Sequence, residues 1–140
     1  MVGYAAFRRQ QFKESNGSRE IMEAEKISYT KQNGSATVTL TGNFFGQQEI
    51  THTTTGDNSP LYTVQSAIDK HMPGYHLVDE QSHSGEEGGI EALSLTSIQI
   101  KSPTGNVYTG QGKDQDIEKS AIKALIDAYV TAYVLEEFVL

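Results

Sequence analysis

The strongest constraint on this chain is an order of patterns that occurs twice. Ile27 and Tyr29, then Ala36, Val38 and Leu40 set between threonines, then Ile50, His52 and Thr54 keep the period-two spacing of half-buried strands. Asn33-Gly34 is a hairpin signal, and Gly42-Asn43 with Gly46 supplies the next reversal. A helix follows, with Asn58 or Ser59 as N-cap, Pro60 at its first position and Pro73-Gly74 beyond its end. After Gly74 the succession returns: a strand over 75–83, a glycine-rich turn at 85–89, a strand over 91–100, another over 107–110, and a helix over 116–138. Leu93 and Leu95 have one parity and Ile98 and Ile100 the other, which predicts a bulge or twist near Thr96.

The two halves also match in residues. Thr55-Gly56 followed after nine residues by Ser66-Ala67-Ile68 recurs as Thr109-Gly110 followed after nine by Ser120-Ala121-Ile122, an offset of 54. The expected fold class is therefore α+β: duplicated βββα units over 26–73 and 74–140, with antiparallel sheets each packed with a helix. Residues 1–25 read as a leader of two amphipathic pieces split by Ser15-Asn16-Gly17-Ser18, a hinge more than a core.

Composition narrows the function. The chain has 140 residues, 36% of them hydrophobic, enough for one domain that closes its own core without disulfides or a structural metal. With no cysteine, thiolate chemistry, iron–sulfur clusters and cysteine zinc sites are excluded, in keeping with a reducing cytoplasm. A net charge of −7 disfavours nucleic acid and anionic membranes as partners. The most apolar stretch, the last 25 residues, is broken by Asp127, Glu136 and Glu137 and is unlike a membrane span, and the N-terminus lacks a signal-peptide core. A cytoplasmic protein is expected. The histidines His52, His71, His76 and His83 have no metal-site spacing, and no nucleophile elbow, Walker loop or dinucleotide fingerprint occurs.

Two junctions could bind a ligand. Gly56-Asp57-Asn58-Ser59-Pro60 runs into the first helix, where free backbone N–H groups and the helix dipole suit a carboxylate. Gly110-Gln111-Gly112-Lys113-Asp114-Gln115-Asp116 repeats the form with acids that suit an ammonium group. Together they match a free amino acid; equally, both are capped helix starts. Leu61, Val64 and Ile68 form one helix face, read either as core or, with Val78 on the next strand and Pro103 in a turn, as a side-chain pocket.

With these pieces in place, the chain resembles the C-terminal allostery and dimerisation domain of 2-isopropylmalate synthases and citramalate synthases over about residues 26–134. The resemblance rests on Gly56-Asp57 with Pro60, Tyr75-His76-Leu77-Val78-Asp79, Gly89-Ile90-Glu91-Ala92, Gly110-x-Gly112, Asp116-Ile117 and Ser120-Ala121. Two departures stand out: Asn58-Ser59 replaces a single family glycine, and Ser120-Ala121 inverts the usual order. The resemblance implies a homodimer that binds a branched-chain amino acid, leucine or isoleucine, as feedback inhibitor. The chemistry, condensation of acetyl-CoA with a 2-oxo acid on a metal, would belong to a separate catalytic barrel. This domain would hold no metal or other cofactor and would not catalyse. By analogy Leu61, Val64, Ile68, Val78 and Pro103 surround the effector side chain, while Asp57, Ser59, Gly110, Gly112 and Asp114 lie near its polar groups. The competing readings are a purely structural dimerisation module and a small enzyme using Asp57 or His52.

Overall fold

The computed structural model describes residues 2–56, 59–84 and 93–139. Two antiparallel three-stranded meanders each precede a helix, which gives an α+β fold of two βββα units. The first unit comprises β1 (Met22–Gln32), β2 (Ser35–Phe44), β3 (Gln47–Thr55) and α2 (Pro60–Asp69), and a further helix, α1 (Val2–Ser15), precedes it. The second comprises β4 (His76–Ser84), β5 (Ser94–Lys101), β6 (Val107–Asp114) and α3 (Ile117–Ala132), which continues into a π-turn at Tyr133–Glu137.

Alternation explains the first sheet. Ala36, Val38 and Leu40 are buried under the helices, while the threonines between them face outward. There Thr37 pairs with Thr53 at 2.8 Å and Thr39 with Thr51 at 3.1 Å through their hydroxyls, cross-strand contacts that suit β-branched residues on a pleated surface. In the second sheet Ile98 and Ile100 are the fully buried counterparts. Both sheets share one core, in which Met22, Ile27, Phe44 and Ile68 meet Ile122, Leu125 and Tyr129.

Helix α3 belongs to both units. It lies along β5 and β6 and also touches β1. Its N-cap Asp116 accepts hydrogen bonds from the N–H groups of Glu118 (2.7 Å) and Lys119 (3.1 Å) and from the Tyr29 hydroxyl of β1 at 2.8 Å. Lys31 of β1 pairs with Glu118 at 2.6 Å.

Several boundaries differ from those the sequence predicts. β1 begins at Met22, four residues ahead of Lys26, because Met22 enters the core, so a cut at residue 25 falls inside a strand. The β2–β3 reversal is at Phe45-Gly46 alone; Gly42 and Asn43 remain in β2, where Gly42 lies against the β1 irregularity between Ala24 and Lys26. No bulge occurs near Thr96, since β5 pairs with β6 without a shift from Ser94 to Lys101. The irregularity is on β4, between Leu77 and Asp79. Thr96, Ile98 and Ile100 share the helix side, and Leu95 faces out. The predicted turn at 85–89, and Glu91 and Ala92 at the start of the predicted strand, lie outside the described residues.

The duplication is real at the level of the fold, but its spacing is not 54. Thr55 ends β3, whereas Thr109-Gly110 lies inside β6, which runs on to Asp114. Aligning the N-caps Ser59 and Asp116 gives an offset of 57, which pairs the buried residues Thr63 with Ser120, Val64 with Ala121, Ala67 with Ala124 and Ile68 with Leu125. The paired hydroxyls behave alike. Thr63 donates to the Ser59 carbonyl at 3.0 Å and meets Thr54 at 2.7 Å; Ser120 donates to the Ile117 carbonyl at 2.8 Å and meets Thr96 at 2.7 Å. A hydroxyl in the first turn of each helix thus satisfies itself on the helix and on the sheet below.

Candidate functional site

The residues singled out for effector binding fall into two groups. In the first, Ser59 caps α2, its hydroxyl accepting from the Tyr62 N–H at 3.3 Å. Leu61, Val64 and Ile68 follow on one face, and all three are buried in the shared core. Val78 occupies the irregular position of β4 and is 48% exposed. Pro103 lies in the β5–β6 turn against Gly74, so close that a Cβ on Gly74 would come within 2.9 Å of the proline ring. Asp57 lies outside the described residues.

The second group is Gly110, Gly112 and Asp114, and all three are strand residues, not part of a loop. A Cβ on Gly110 would lie 2.1 Å from the Ala124 carbonyl oxygen and 2.2 Å from the Ala128 nitrogen; one on Gly112 would lie 2.4 Å from the Ser120 carbonyl oxygen. The glycines therefore let the α3 backbone rest directly on β6, a close approach that Ala124 and Ala128 complete from the helix side. The loop before α3 shrinks to Gln115 and Asp116. Asp114 pairs with Lys123 at 2.8 Å and accepts from the Asp116 N–H at 2.9 Å. Burial pushes its carboxyl up, but the ammonium and the amide outweigh it and hold it below the usual carboxylate value.

His52, the other residue weighed for chemistry, meets the Ser66 hydroxyl at 3.2 Å; burial and the Lys70 charge lower its pKa. Among the described residues no group of three or more His, Asp or Glu could hold a metal ion, and no helix is long and apolar enough to cross a membrane.

Sequence patterns give no sign of the network at the chain's C-terminal end. Glu136 of the π-turn accepts from the Tyr108 hydroxyl, from Thr104 at 3.0 Å and from Asn106 at 3.2 Å, while Tyr75 donates to Glu137 at 3.0 Å. These contacts tie the π-turn to the β5–β6 turn that carries Pro103. On its other side the π-turn holds α1: Arg8 donates to the carbonyls of Val134 (3.3 Å) and Phe138 (2.8 Å), and Phe12 packs edge-on against Tyr133 and Phe138. Arg9 reaches Glu20 at 3.1 Å and Asp127 at 2.8 Å. Apart from Arg9 and Glu20, the partners are separated by 28 residues or more in sequence, so no local spacing marks them.

The tyrosines of this region supply a pH prediction. The Tyr29 phenol is pushed up to about 12 by its bond to Asp116, Tyr108 to about 12 by burial and by Glu136, and Tyr129 to about 12 by burial; burial and Glu137 also raise Tyr75. A phenol whose folded pKa exceeds its unfolded value of about 10 stabilises the fold fully below that value and loses the contribution as pH rises through the folded one. Unfolding free energy measured in urea should therefore fall between about pH 10 and 12, while tyrosinate absorbance of the folded chain from Tyr29, Tyr108 and Tyr129 appears only as pH approaches 12. A flat stability profile there would contradict the assigned hydrogen bonds.

The comparisons with known proteins agree with this architecture. The family profile described as the LeuA allosteric (dimerisation) domain matches residues 5–133, a stretch that takes in most of α1 and all six strands. A protein named 2-isopropylmalate synthase from Olsenella uli is 32% identical over 93 residues, which cover 66% of this chain and 18% of that relative. The chain thus spans about a fifth of the length of the relative it matches. Two antiparallel βββα units, with the family match running through both, establish that the chain belongs to the LeuA allosteric (dimerisation) domain family.

Proposed function

We propose that this chain is the regulatory part of a 2-isopropylmalate synthase-like or citramalate synthase-like enzyme, a homodimeric domain that binds leucine or isoleucine and passes feedback inhibition to a catalytic barrel. The observation that carries the reading is the family match over residues 5–133. The domain itself is non-catalytic and works without a cofactor; the parent enzyme condenses acetyl-CoA with a 2-oxo acid in the cytoplasm. Allostery then means a coupling free energy of about 1 to 3 kcal/mol between the effector site and the distant barrel.

The effector's polar groups are assigned to Asp57 and Ser59 at the start of α2 and its side chain to Val78 on the strand that follows; Pro103 drops out, because it packs on Gly74 beyond the other end of this ten-residue helix, about 15 Å away. Gly110 drops out of direct contact, because it is buried under α3, whereas Gly112, although its Cα also abuts α3, lines a pocket with Leu95 and Gln111. One observation favours the second reading, a dimerisation module without ligand: Leu61, Val64 and Ile68 are core residues. Val78 separates the two. It is half exposed, so Val78→Ala should leave the melting midpoint unchanged to within about a degree while weakening leucine or isoleucine binding roughly tenfold in a calorimetric titration. Wild-type chain that takes up neither amino acid would favour the structural module; wild-type binding that Val78→Ala leaves unchanged would move the site elsewhere.

A further inference from the structure

The outer faces of the two sheets are filled differently, although the fold is a duplication. On the first sheet the threonine hydroxyls close on one another, Thr37 on Thr53 and Thr39 on Thr51, and satisfy themselves. On the second sheet the face is hollow: a cavity of about 410 Å³ lies over β4, β5 and β6, walled by His83, Leu95, Ser97, Gln111 and Lys113, with the backbone at Thr96 and Gly112 as its floor. The pairing register sets these side chains in two rows. His83, Leu95 and Lys113 stand opposite one another across the three strands, and Ser97 and Gln111 form the next pair on the same face. None of the four polar side chains hydrogen-bonds to another described residue; the contacts of Gln111 and Lys113 are made by their backbone alone. Lys31, Lys123 and Arg9, by contrast, are all ion-paired. Half-buried Leu95 gives the cavity an apolar centre.

We propose that this cavity binds a short aliphatic dicarboxylate, with its carbon chain over Leu95, one carboxylate toward Lys113 and Gln111, and the other toward His83. The site is separate from the effector site proposed above and does not depend on it, since His83 is five residues along β4 from Val78, about 16 Å. Charge decides the sign of the ligand. The chain as a whole carries −7, yet the described residues that line the cavity include a lysine and a histidine and no carboxylate. Of the acids on the same strands, Asp79 accepts from Gln81 at 3.1 Å, Asp114 is held by Lys123 at 2.8 Å, and Glu80 is opposite Ile98 on the helix side. Spacing decides the number of carboxylates. His83 and Lys113 are two strand spacings apart, about 10 Å, and a charge-assisted hydrogen bond of about 2.8 Å at each end leaves about 4 Å between two carboxylate groups, the reach of a two- or three-carbon chain. A monocarboxylate meets one of these donors and leaves the other without a partner. The Ser97 hydroxyl completes a small set of convergent polar groups around an apolar centre, the usual make-up of a small-molecule site.

The test titrates the isotopically labelled whole chain with succinate at constant ionic strength and reads the amide shifts by nuclear magnetic resonance. Succinate should give saturable shifts at Leu95, Ser97 and Gln111. Butyrate should bind at least tenfold more weakly, and 1,4-diaminobutane, of similar reach and opposite charge, should leave these amides unmoved. Lys113→Gln and His83→Ala, both at exposed positions, should each weaken succinate binding about tenfold, the weight of one charge-assisted hydrogen bond, with the rest of the spectrum unchanged. Lys101→Gln, at an exposed lysine on the far end of β5, should bind as the wild type does. Shifts that fail to saturate, that appear away from the second sheet, or that survive Lys113→Gln overturn the site. Equal affinity for butyrate overturns the two-carboxylate assignment, and an equal loss in Lys101→Gln replaces the site with general attraction of anions. Should Lys113→Gln unfold, His83→Ala decides by the same readout. Succinate without effect on a chain whose melting midpoint leucine or isoleucine still raises overturns this site and leaves the effector reading standing.

Discussion

Gly110→Ala should destabilise the chain by about 3 kcal/mol or more, the upper end of what an overpacked core costs. The methyl would fall 2.1 Å from the Ala124 carbonyl oxygen and 2.2 Å from the Ala128 nitrogen, and both are helix backbone, which no rotamer change can move aside. To make room, α3 would have to lift from β6, and with it would go the burial of Ile122, Leu125 and Tyr129 on the shared core. Against a total stability of about 5 to 15 kcal/mol for a domain, the loss is large. Urea denaturation of the purified variant reads it directly. The experiment also separates two roles for the same residue: a glycine needed for backbone approach to a ligand would lose effector response and keep its stability, whereas a glycine needed for helix-on-sheet packing loses stability with or without ligand. The geometry predicts the second outcome.

Phe12→Ala should release α1 from the body of the domain. Phe12 is 6% exposed and has ring contacts at 5.5 Å to Tyr133 and 5.1 Å to Phe138, so truncation removes a buried aromatic for which the usual cost is about 3 kcal/mol or more. Because α1 is terminal and also held by the Arg8 and Arg9 contacts, the loss should appear as local opening instead of global unfolding. Hydrogen exchange at the α1 amides should accelerate roughly a hundredfold, with the β2 amides unchanged, since about 1.4 kcal/mol corresponds to each factor of ten. If α1 amides of the unaltered chain already exchange at the rate of a free peptide, the helix is a loose leader and the docking described above has no energetic weight. The family match beginning at residue 5 already includes most of this helix.

What could be read in the sequence, and what could not, follows from the range of the forces involved. Strands β1 to β3 and the start of α2 are written in local signals: threonine alternation, Asn33-Gly34, and a capping serine before proline. Period two locates a strand but not its end, which is why Gly110 to Asp114 read as a loop. Two glycines and three polar residues look like a turn until α3 is known to lie upon them. The offset of 54 had the same weakness. A five-residue match carries no information on which residues cap and which are buried, and the offset of 57 emerges only from the caps and the paired hydroxyls. For the candidate site, Leu61, Val64 and Ile68 do share a helix face, as their spacing indicates, but spacing cannot distinguish a pocket wall from core, and the structure places them in core. The Glu136 and Arg8 contacts were illegible, because they join residues 28 to 130 positions apart and depend on a π-turn that no periodicity announces.

The most direct test of the central claim, that this family member is an amino-acid-binding regulatory domain, is the melting midpoint of the chain alone and with excess leucine, isoleucine, valine or lysine. A ligand at a hundred times its dissociation constant adds about 2.7 kcal/mol, enough in a domain of this size to raise the midpoint by roughly 5 to 10 °C. The account predicts such a rise with leucine or isoleucine, a smaller one or none with valine, and none with lysine. Cooperative melting at one unchanged temperature with all four would contradict the account and leave a dimerisation module that binds no effector.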